Sequence, residues 1–294
     1  MRGRIVVAAL ASVAACVSVS AGQSYIMMPD STNNRVVLFD PFDGSVVNSN
    51  YFGTFGGTTV HAMQVGNEIW ISEQIGDRIS RFSLTGTSLG SISGGLDNIR
   101  GMELARDTVY VTNAGTGNGA PGSAIVMFDM SGNSLGSFGT SSTVPSPFGI
   151  LRRGDTILVS GSSGGDDIHE FFLDGSDVGT FYDGSLSFFE QMSFASNGDI
   201  LAAVFSSGVI ARFDAGGNLL STFTAGGARG VMELGNGNIM WTNSAGAHIY
   251  DVNTGVDTLV YAGGGRYLDT LVIPAPGGAA LLGLGGLLAV RRRR

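Results

Sequence analysis

Apolar and polar residues alternate in a repeated pattern along most of the chain, and residues 124–139 show it most clearly. An apolar run ends at Phe128 and Asp129, a Gly/Asn turn follows at 131–133, and a second short apolar run comes next. Alternating or β-branched residues on both sides of such a turn predict a β-hairpin. The unit occurs six times, each with an aromatic residue at the same position. These residues are Phe39, Phe82, Phe128, Phe171, Phe213 and Tyr250.

The spacing of these hairpins predicts the fold. The equivalent aromatic residues are separated by 43, 46, 43, 42 and 37 positions. A repeat of roughly 40–45 residues with only strand-like patterns is typical of a β-propeller blade. Two further strand-like segments precede most hairpins, which makes four strands per unit. We therefore predict an all-β fold, a six-bladed β-propeller of four-stranded blades.

The repeated region lacks one strand at its start and has one extra strand at its end. The first blade has no segment that could supply its first strand, and the last strand-like segment, at 268–273, has no blade of its own. We expect this last segment to become the innermost strand of the first blade. Pairing of the N- and C-terminal strands would close the propeller and remove exposed sheet edges.

The charge of the chain argues against nucleic acid as a partner. All 16 basic residues are arginines, six of them at the two ends, which leaves ten arginines against 24 acidic residues in between. A strongly acidic domain repels the phosphate backbone. We therefore expect no binding to DNA or RNA.

The N-terminal segment has the layout of a secretory signal peptide. Arg2 and Arg4 precede an apolar run at 5–19, and small residues follow at 19–21. This order predicts cleavage after residue 21 and export of the protein. Two alternatives stay open: Cys16, the only cysteine, could be the lipidated residue of a lipoprotein signal, or the segment could be a buried helix.

The C-terminal segment has three parts. Pro274, Ala275 and Pro276 form a hinge, a Gly/Leu-rich apolar run follows at 279–290, and four arginines end the chain. These are Arg291, Arg292, Arg293 and Arg294. The apolar run predicts a membrane-inserted helix, although it falls short of the ~20 residues that comfortably span a bilayer. The terminal arginines would hold its end on the cytoplasmic side.

This tail resembles the PEP-CTERM sorting signal of Gram-negative-type bacteria, with Ala275 in place of the usual acidic residue. The resemblance implies a transient membrane anchor, cleavage by an exosortase-type processing enzyme, and delivery to the cell surface or extracellular matrix. An ordinary C-terminal membrane anchor is the alternative. The predicted organisation is a signal peptide at 1–21, a propeller at 22–273 and a sorting tail at 274–294.

Parts of the repeat resemble the NHL family. Residues 33–40 carry the resemblance, as do residues 147–150 and the Phe128, Asp129 and Gly132 set, whereas Ser83 replaces the usual Asp in the second blade. NHL repeats build six-bladed propellers, and the family includes scaffolds, sugar- or protein-binding modules and some enzymes. The resemblance therefore implies the fold and leaves the activity open.

The first strands of a propeller line its central channel, so the residue that opens each one is a candidate for a binding site. The equivalent positions hold His61, Arg100, Phe148, Glu190, Arg229 and Arg266. Three guanidinium groups at one channel mouth would suit a carboxylate, sulfate or phosphate. The alternative is that each arginine pairs with a nearby acid and only completes the channel wall. The acids considered for this are Glu103, Glu233 and Asp269.

No catalytic residue, metal ligand or cofactor is assigned from the sequence. His61, His169 and His248 share no register or metal-ligand spacing. The favoured function is a non-enzymatic binding or scaffold module for a polysaccharide or a surface protein. The alternative is a metal- or anion-dependent hydrolase or lyase at the channel mouth, with four residues as first suspects: His61, Glu103, Glu190 and Asp269.

Overall fold

Six four-stranded antiparallel sheets make up the fold, and each is one blade of a propeller. The computed structural model describes residues 22–54, 56–164 and 167–274. Within these ranges the only helical element is one 3-10 turn at Gly117–Gly119. No helix among the described residues is long and apolar enough to cross a membrane. The predicted signal peptide at 1–21 and the tail from Ala275 onward lie outside the described residues.

The strands follow the chain in order through the blades. The first blade contains β1 (Gln23–Asp30), β2 (Arg35–Phe39) and β3 (Val46–Gly53); the second β4 (Thr59–Val65), β5 (Glu68–Glu73), β6 (Arg78–Ser83) and β7 (Ser88–Ser93); the third β8 (Ile99–Ala105), β9 (Thr108–Asn113), β10 (Ala124–Asp129) and β11 (Ser134–Gly139). The fourth contains β12 (Pro147–Arg153), β13 (Thr156–Gly161), β14 (Ile168–Phe172) and β15 (Asp177–Tyr182); the fifth β16 (Phe189–Phe194), β17 (Ile200–Val204), β18 (Val209–Phe213) and β19 (Leu219–Thr224); the sixth β20 (Gly230–Glu233), β21 (Ile239–Asn243), β22 (Gly246–Tyr250) and β23 (Asp257–Ala262).

The last strand, β24 (Asp269–Ile273), closes the ring. It pairs with β1, so that the first sheet has the order β24-β1-β2-β3. The other five sheets are each built from four consecutive strands. The predictions of six blades, of four strands in each, and of closure by the two terminal strands are therefore confirmed.

Burial falls from the second strand of each blade to the fourth, which explains their different compositions. The second strands are almost wholly buried and rich in apolar residues, and the ILAAV sequence of β17 is a continuous apolar run. The fourth strands are largely exposed and rich in Ser and Gly, as in the SLGSFG sequence of β11. A strand buried on both faces cannot alternate polar and apolar residues.

The repeated aromatic residue on the third strand joins each blade to the one before it. Phe82 packs against Phe52 of the first blade with ring centroids 4.9 Å apart, and Tyr250 stacks on Phe223 of the fifth blade at 3.9 Å. The same kind of contact recurs in most of the other blades. The pairs are Phe39 with Tyr261, Phe171 with Phe138, and Phe213 with Phe181. Phe128 lies in a core cluster against which Ile92 packs.

Asp30 adds a polar tie between the first and sixth blades. Its carboxylate is fully buried and accepts hydrogen bonds from the Tyr261 hydroxyl at 2.6 Å and from the Gly264 backbone N–H at 2.9 Å. It also accepts from Asn33 and lies 3.6 Å from the Arg35 guanidinium. Burial alone would raise the pKa of Asp30, but the hydrogen bonds from Tyr261, Asn33 and Gly264 outweigh it and lower that pKa. The carboxylate therefore stabilises the closed ring in its ionised form.

We predict that Asp30→Asn lowers the free energy of unfolding by about 3 kcal/mol at pH 7, because a buried charge partner and hydrogen-bond acceptor is lost. Because the pKa of Asp30 is lower in the folded protein than the unfolded value of about 3.9, its ionised carboxylate stabilises the fold above about pH 3.9. This stabilisation is lost as the pH falls through the folded pKa. The difference from the wild type should thus narrow below about pH 4. Urea unfolding at pH 7 and pH 3 measures both. Asp183→Asn, at an exposed acid, is the control; equal loss in both variants would contradict the role of Asp30.

Candidate functional site

The innermost strand of every blade contributes to the channel wall. These strands are β4, β8, β12, β16, β20 and β24, and successive ones contact each other around the ring, as β8 does with β12 and β12 with β16. The predicted site residues lie on these strands or within three residues before them. Their positions are therefore set by how neighbouring blades meet.

A repeated hydroxyl contact holds the predicted ring residues in place. A Ser or Thr on the second strand of one blade donates to the main-chain carbonyl of the ring residue in the next blade. The bonds are Ser72 to Arg100 (2.5 Å), Thr112 to Phe148 (2.9 Å), Ser160 to Glu190 (3.1 Å) and Thr242 to Arg266 (2.7 Å). Because the contact uses only the carbonyl, the side chain of each ring residue stays available to the channel.

Glycine follows three ring residues because the next blade comes very close there. A Cβ at Gly101 would lie 2.8 Å from the carbonyl oxygen of Phe148, and one at Gly230 would lie 2.5 Å from that of Arg266. In protein structures, Cβ atoms do not come this close to backbone atoms. The Arg-Gly and Phe-Gly pairs in the sequence thus mark where blades touch.

Four of the predicted residues come together at one end of the channel, which we call the basic cluster: Arg100, Glu190, Arg229 and Arg266, joined by Tyr267. Glu190 is only 1% exposed, and its Oε1 lies 3.3 Å from Nη1 of Arg229. Arg266 lies close enough to both Glu190 and Arg229 for their charges to affect its ionisation. The cluster therefore holds three cations around one carboxyl group.

Two of these arginines have no carboxylate partner among the described residues. Arg100 donates to the Pro147 carbonyl oxygen at 2.8 Å and to Ser146 Oγ at 3.2 Å, and its guanidinium lies 4.1 Å from the Phe148 ring centroid. Arg266 donates from Nε to Ser31 Oγ at 3.0 Å. Neutral partners position these side chains and leave their charge uncompensated.

Burial shifts the ionisation of the basic cluster toward neutrality. It raises the pKa of Glu190 to about 7, although Arg229, Arg266 and Arg100 all act in the opposite direction. It lowers the pKa of Arg100 to about 10, and burial with repulsion from Arg229 lowers the pKa of Arg266 to about 10. Burial also raises the pKa of Tyr267 well above its ordinary value, so its hydroxyl is a neutral donor.

Three buried polar atoms of the basic cluster lack a hydrogen-bond partner: Arg100 Nε, Glu190 Oε2 and Tyr267 Oη. Leaving a buried polar group unsatisfied costs about 1–3 kcal/mol. Polar groups in this state at the end of a channel are suited to a ligand or water that completes their hydrogen bonds. Two are donors, so an anionic oxygen is a matching occupant.

The other predicted residues line a separate pocket of about 350 Å³, which we call the acidic pocket. His61, Glu103 and Asp269 all belong to its lining. His61 Nδ1 accepts the Met102 backbone N–H at 3.1 Å, and its Nε2 lies 3.2 Å from Oδ2 of Asp269. Burial and the charge of Asp269 raise the pKa of Glu103 to about 7.

Tyr267 and Gln191 connect the two groups of residues, and the sequence analysis did not single them out. Gln191 accepts from the backbone N–H groups of Leu268 (2.8 Å) and Val231 (3.1 Å), and it donates to the Leu268 carbonyl at 2.5 Å. Its side chain thereby joins three inner strands. The position directly after a predicted ring residue was the available signal for both, since Gln191 follows Glu190 and Tyr267 follows Arg266.

The suspected metal set does not assemble. Glu190 lies in the basic cluster, whereas His61, Glu103 and Asp269 line the acidic pocket. In the described ranges, no three His, Cys, Asp or Glu side chains form a group that could hold a metal ion. His169 and His248 lie elsewhere, beside Asp177 and Asp257.

The comparisons with known proteins identify the fold and no family. No family model matches the sequence, and no curated protein matches it either. Among solved structures, a chain from a nidogen/laminin complex is similar with a TM-score of 0.69 at 12% identity, covering 84% of this chain and 98% of that one. A protein of unknown function from Bacteroides caccae gives 0.63 at 15% identity, covering 86% and 99%. A virginiamycin B lyase from Staphylococcus aureus gives 0.56 at 12% identity, covering 82% and 81%.

We predict that two glutamate carboxyl groups titrate near pH 7 in ¹³C NMR, against about 4.3 for an ordinary glutamate, because burial disfavours their ionised forms. Glu190→Gln should remove one of these titrations and Glu103→Gln the other. Glu68→Gln is the matched control, because hydrogen bonding from Arg81 lowers the pKa of Glu68. Titration of both groups between pH 4 and 5 would contradict the burial of their charge.

Proposed function

We propose that this chain is an exported, non-enzymatic binding module that holds an anionic polysaccharide of the cell surface or extracellular matrix at its basic cluster. The observation that carries the proposal is the set of unpartnered buried polar atoms beside two arginines with no carboxylate partner among the described residues. An enclosed site with uncompensated positive charge favours an anionic ligand.

The charge of the cluster supports an anion in particular. Arg100 and Arg266 are protonated at neutral pH even with their pKa values lowered to about 10, while the pKa of Glu190 near 7 leaves that acid only partly ionised. The cluster of three arginines therefore carries an excess of between two and three positive charges. A ligand carboxylate or sulfate would accept from Arg100 Nε and the Tyr267 hydroxyl.

Aromatic side chains beside the cluster favour a sugar ring as the carrier of the anionic group. Phe188 lies between Phe148 and Phe205, with centroid separations of 4.9 and 5.0 Å. The Arg229 guanidinium lies 4.8 Å from the Phe205 centroid. Flat apolar faces next to guanidinium groups suit the ring and the carboxylate of a uronic acid.

The backbone at Phe188 supports a binding role for this side chain. Its φ is +61°, whereas the equivalent position before β8 holds Asn98 at +55°. Asn adopts this conformation readily, but a bulky residue does so at a cost of about 1–2 kcal/mol. An aromatic ring placed at such a cost is consistent with a function in ligand contact.

Export and anchoring belong to the same proposal and are supported by the two terminal sequences. The signal-peptide pattern and the PEP-CTERM-like tail would direct the protein to the surface through an exosortase-type enzyme. The NHL resemblance fits the six-bladed fold and binding modules of that type. The metal-dependent enzyme alternative has no supporting geometry: Glu190 lies apart from His61, Glu103 and Asp269, and the described residues contain no group of three ligands that could hold a metal ion.

We expect the full chain to bind trigalacturonate measurably in calorimetry and to bind maltotriose, its uncharged counterpart, at least tenfold more weakly. Arg100→Gln and Arg266→Gln should each lower the affinity for trigalacturonate about tenfold, because each removes a charge-assisted hydrogen bond. Arg106→Gln, at an exposed arginine paired with Asp155, is the control. Equal binding of both sugars, or unchanged binding in both cluster variants, would refute the proposed ligand class.

The tail is tested separately by intact mass and fractionation in the native cells. We expect a mature protein that lacks residues 1–21 and the segment after about Pro276, found at the surface or in the matrix. A retained tail with the protein in the inner membrane would instead identify the segment as an ordinary anchor.

A further inference from the structure

The acidic pocket is a second site, and the proposed binding of an anionic polysaccharide does not use it. We propose that this pocket binds the ammonium group of a small organic amine, with the apolar part of the amine against a wall of methionine side chains. The proposal concerns His61, Glu103, Ser193 and Asp269 with the surrounding thioethers. It uses none of the arginines of the basic cluster, although Tyr267 also lines the pocket.

One part of the pocket wall is apolar and adaptable. Met63, Met102, Met192 and Met232 line it, one from each of four inner strands. Unbranched thioether side chains adjust to ligands of different shape and contact aromatic groups favourably. A pocket of about 350 Å³ accepts a molecule the size of an aralkylamine.

The charged groups that line the pocket include acids and no lysine or arginine. Glu103 and Asp269 are close enough for the charge of Asp269 to disfavour ionisation of Glu103. Glu233 also belongs to the lining, but Ser196 already donates to its carboxylate. Arg152, the cation that acts on Glu103, gives it a backbone N–H at 3.2 Å, and its guanidinium is directed to the Gly154 carbonyl. A cation inside the pocket would relieve the repulsion between the two carboxylates.

Unpartnered buried atoms in the pocket provide an independent indication of a ligand. Ser193 is 9% exposed, lines the pocket and has no hydrogen-bond partner for its hydroxyl. His61 is 6% exposed, and its Nε2 also lacks a hydrogen bond despite its closeness to Asp269. An ammonium group has three N–H donors. Glu103, Asp269 and the Ser193 hydroxyl offer three acceptors to match them.

The lining favours an organic cation over a metal ion. Ca²⁺ requires six to eight oxygen ligands, and Mg²⁺ an octahedron of oxygen ligands. Half of the lining residues are apolar, four of them methionines, and the described residues contain no three-ligand group. An amine with an apolar substituent matches both the acceptors and the wall.

The test uses the full chain labelled with ¹³C at the methionine methyl groups and titrated at pH 8 with phenethylamine. We expect the signals of Met63, Met102, Met192 and Met232 to shift together, and the Met27 signal, from a buried position in β1, to stay unchanged. 2-Phenylethanol, the neutral isostere, should bind at least tenfold more weakly, because it lacks the charge.

Glu103→Gln and Asp269→Asn should each lower the phenethylamine affinity about tenfold, because each removes one charge-assisted hydrogen bond. Asp107→Asn removes the same charge from the exposed turn after β8 and should change the phenethylamine affinity little. Retained Met27 shifts show that the variants are folded. Glu103→Gln should leave trigalacturonate binding unchanged, so failure at one site is distinguishable from failure at the other.

The pH dependence gives a further readout. Between pH 8 and pH 5.5 the affinity should fall at least tenfold, because Glu103 gains a proton on passing its pKa of about 7 and then no longer carries a negative charge. Equal binding of the alcohol would identify a purely apolar cavity and overturn the proposal. Shifts caused only by Mg²⁺ or Ca²⁺, or no shifts with any probe, would overturn it as well.

Discussion

The packing of one blade against the next is the interaction on which the whole molecule depends. A four-stranded sheet of this size has apolar residues on both faces and cannot bury them by itself. The aromatic residue on each third strand extends toward the preceding blade, so every blade needs a neighbour on both sides. Only a closed ring satisfies all six, and the chain achieves closure by giving β24 to the sheet of β1. Asp30 then stabilises the junction through Tyr261 and Gly264.

Closure also creates the candidate sites. It brings six inner strands together, and hydroxyl groups of the second strands fix the carbonyl groups of the ring residues. The side chains of the ring residues are then free to differ between blades. Along the inner strands of this chain, the charged side chains change from mainly basic to acidic. Arginines gather near the start of the inner strands, and carboxylates with thioethers gather further along them. Tyr267 and Gln191 lie where the two groups meet.

Much of the fold could be predicted because its signals repeat. The phenylalanine at positions 39, 82, 128, 171 and 213 gave the blade spacing, and the unmatched strand at 268–273 indicated how the ring closes. Register along the first strands also brought Arg100, Glu190, Arg229 and Arg266 into one set. His61 was assigned to the same set, yet it lines the acidic pocket, because the predicted register was off by one residue. Its N–H bonds to Ser72 as the N–H of Gly149 bonds to Ser160, so Val60 occupies the ring position. The contributions of Gln191 and Tyr267 occur once each, so no periodic pattern could show them.

The hydroxyl contacts between blades have a consequence for how such a protein can change over time. They hold the main chain of the ring residues at Arg100, Phe148, Glu190 and Arg266, and they make no demand on the side chains there. Stability and recognition therefore rest on different atoms of the same residues. A descendant of this sequence can acquire a new ligand by exchanging one side chain per blade, while the architecture that presents those side chains stays under separate selection.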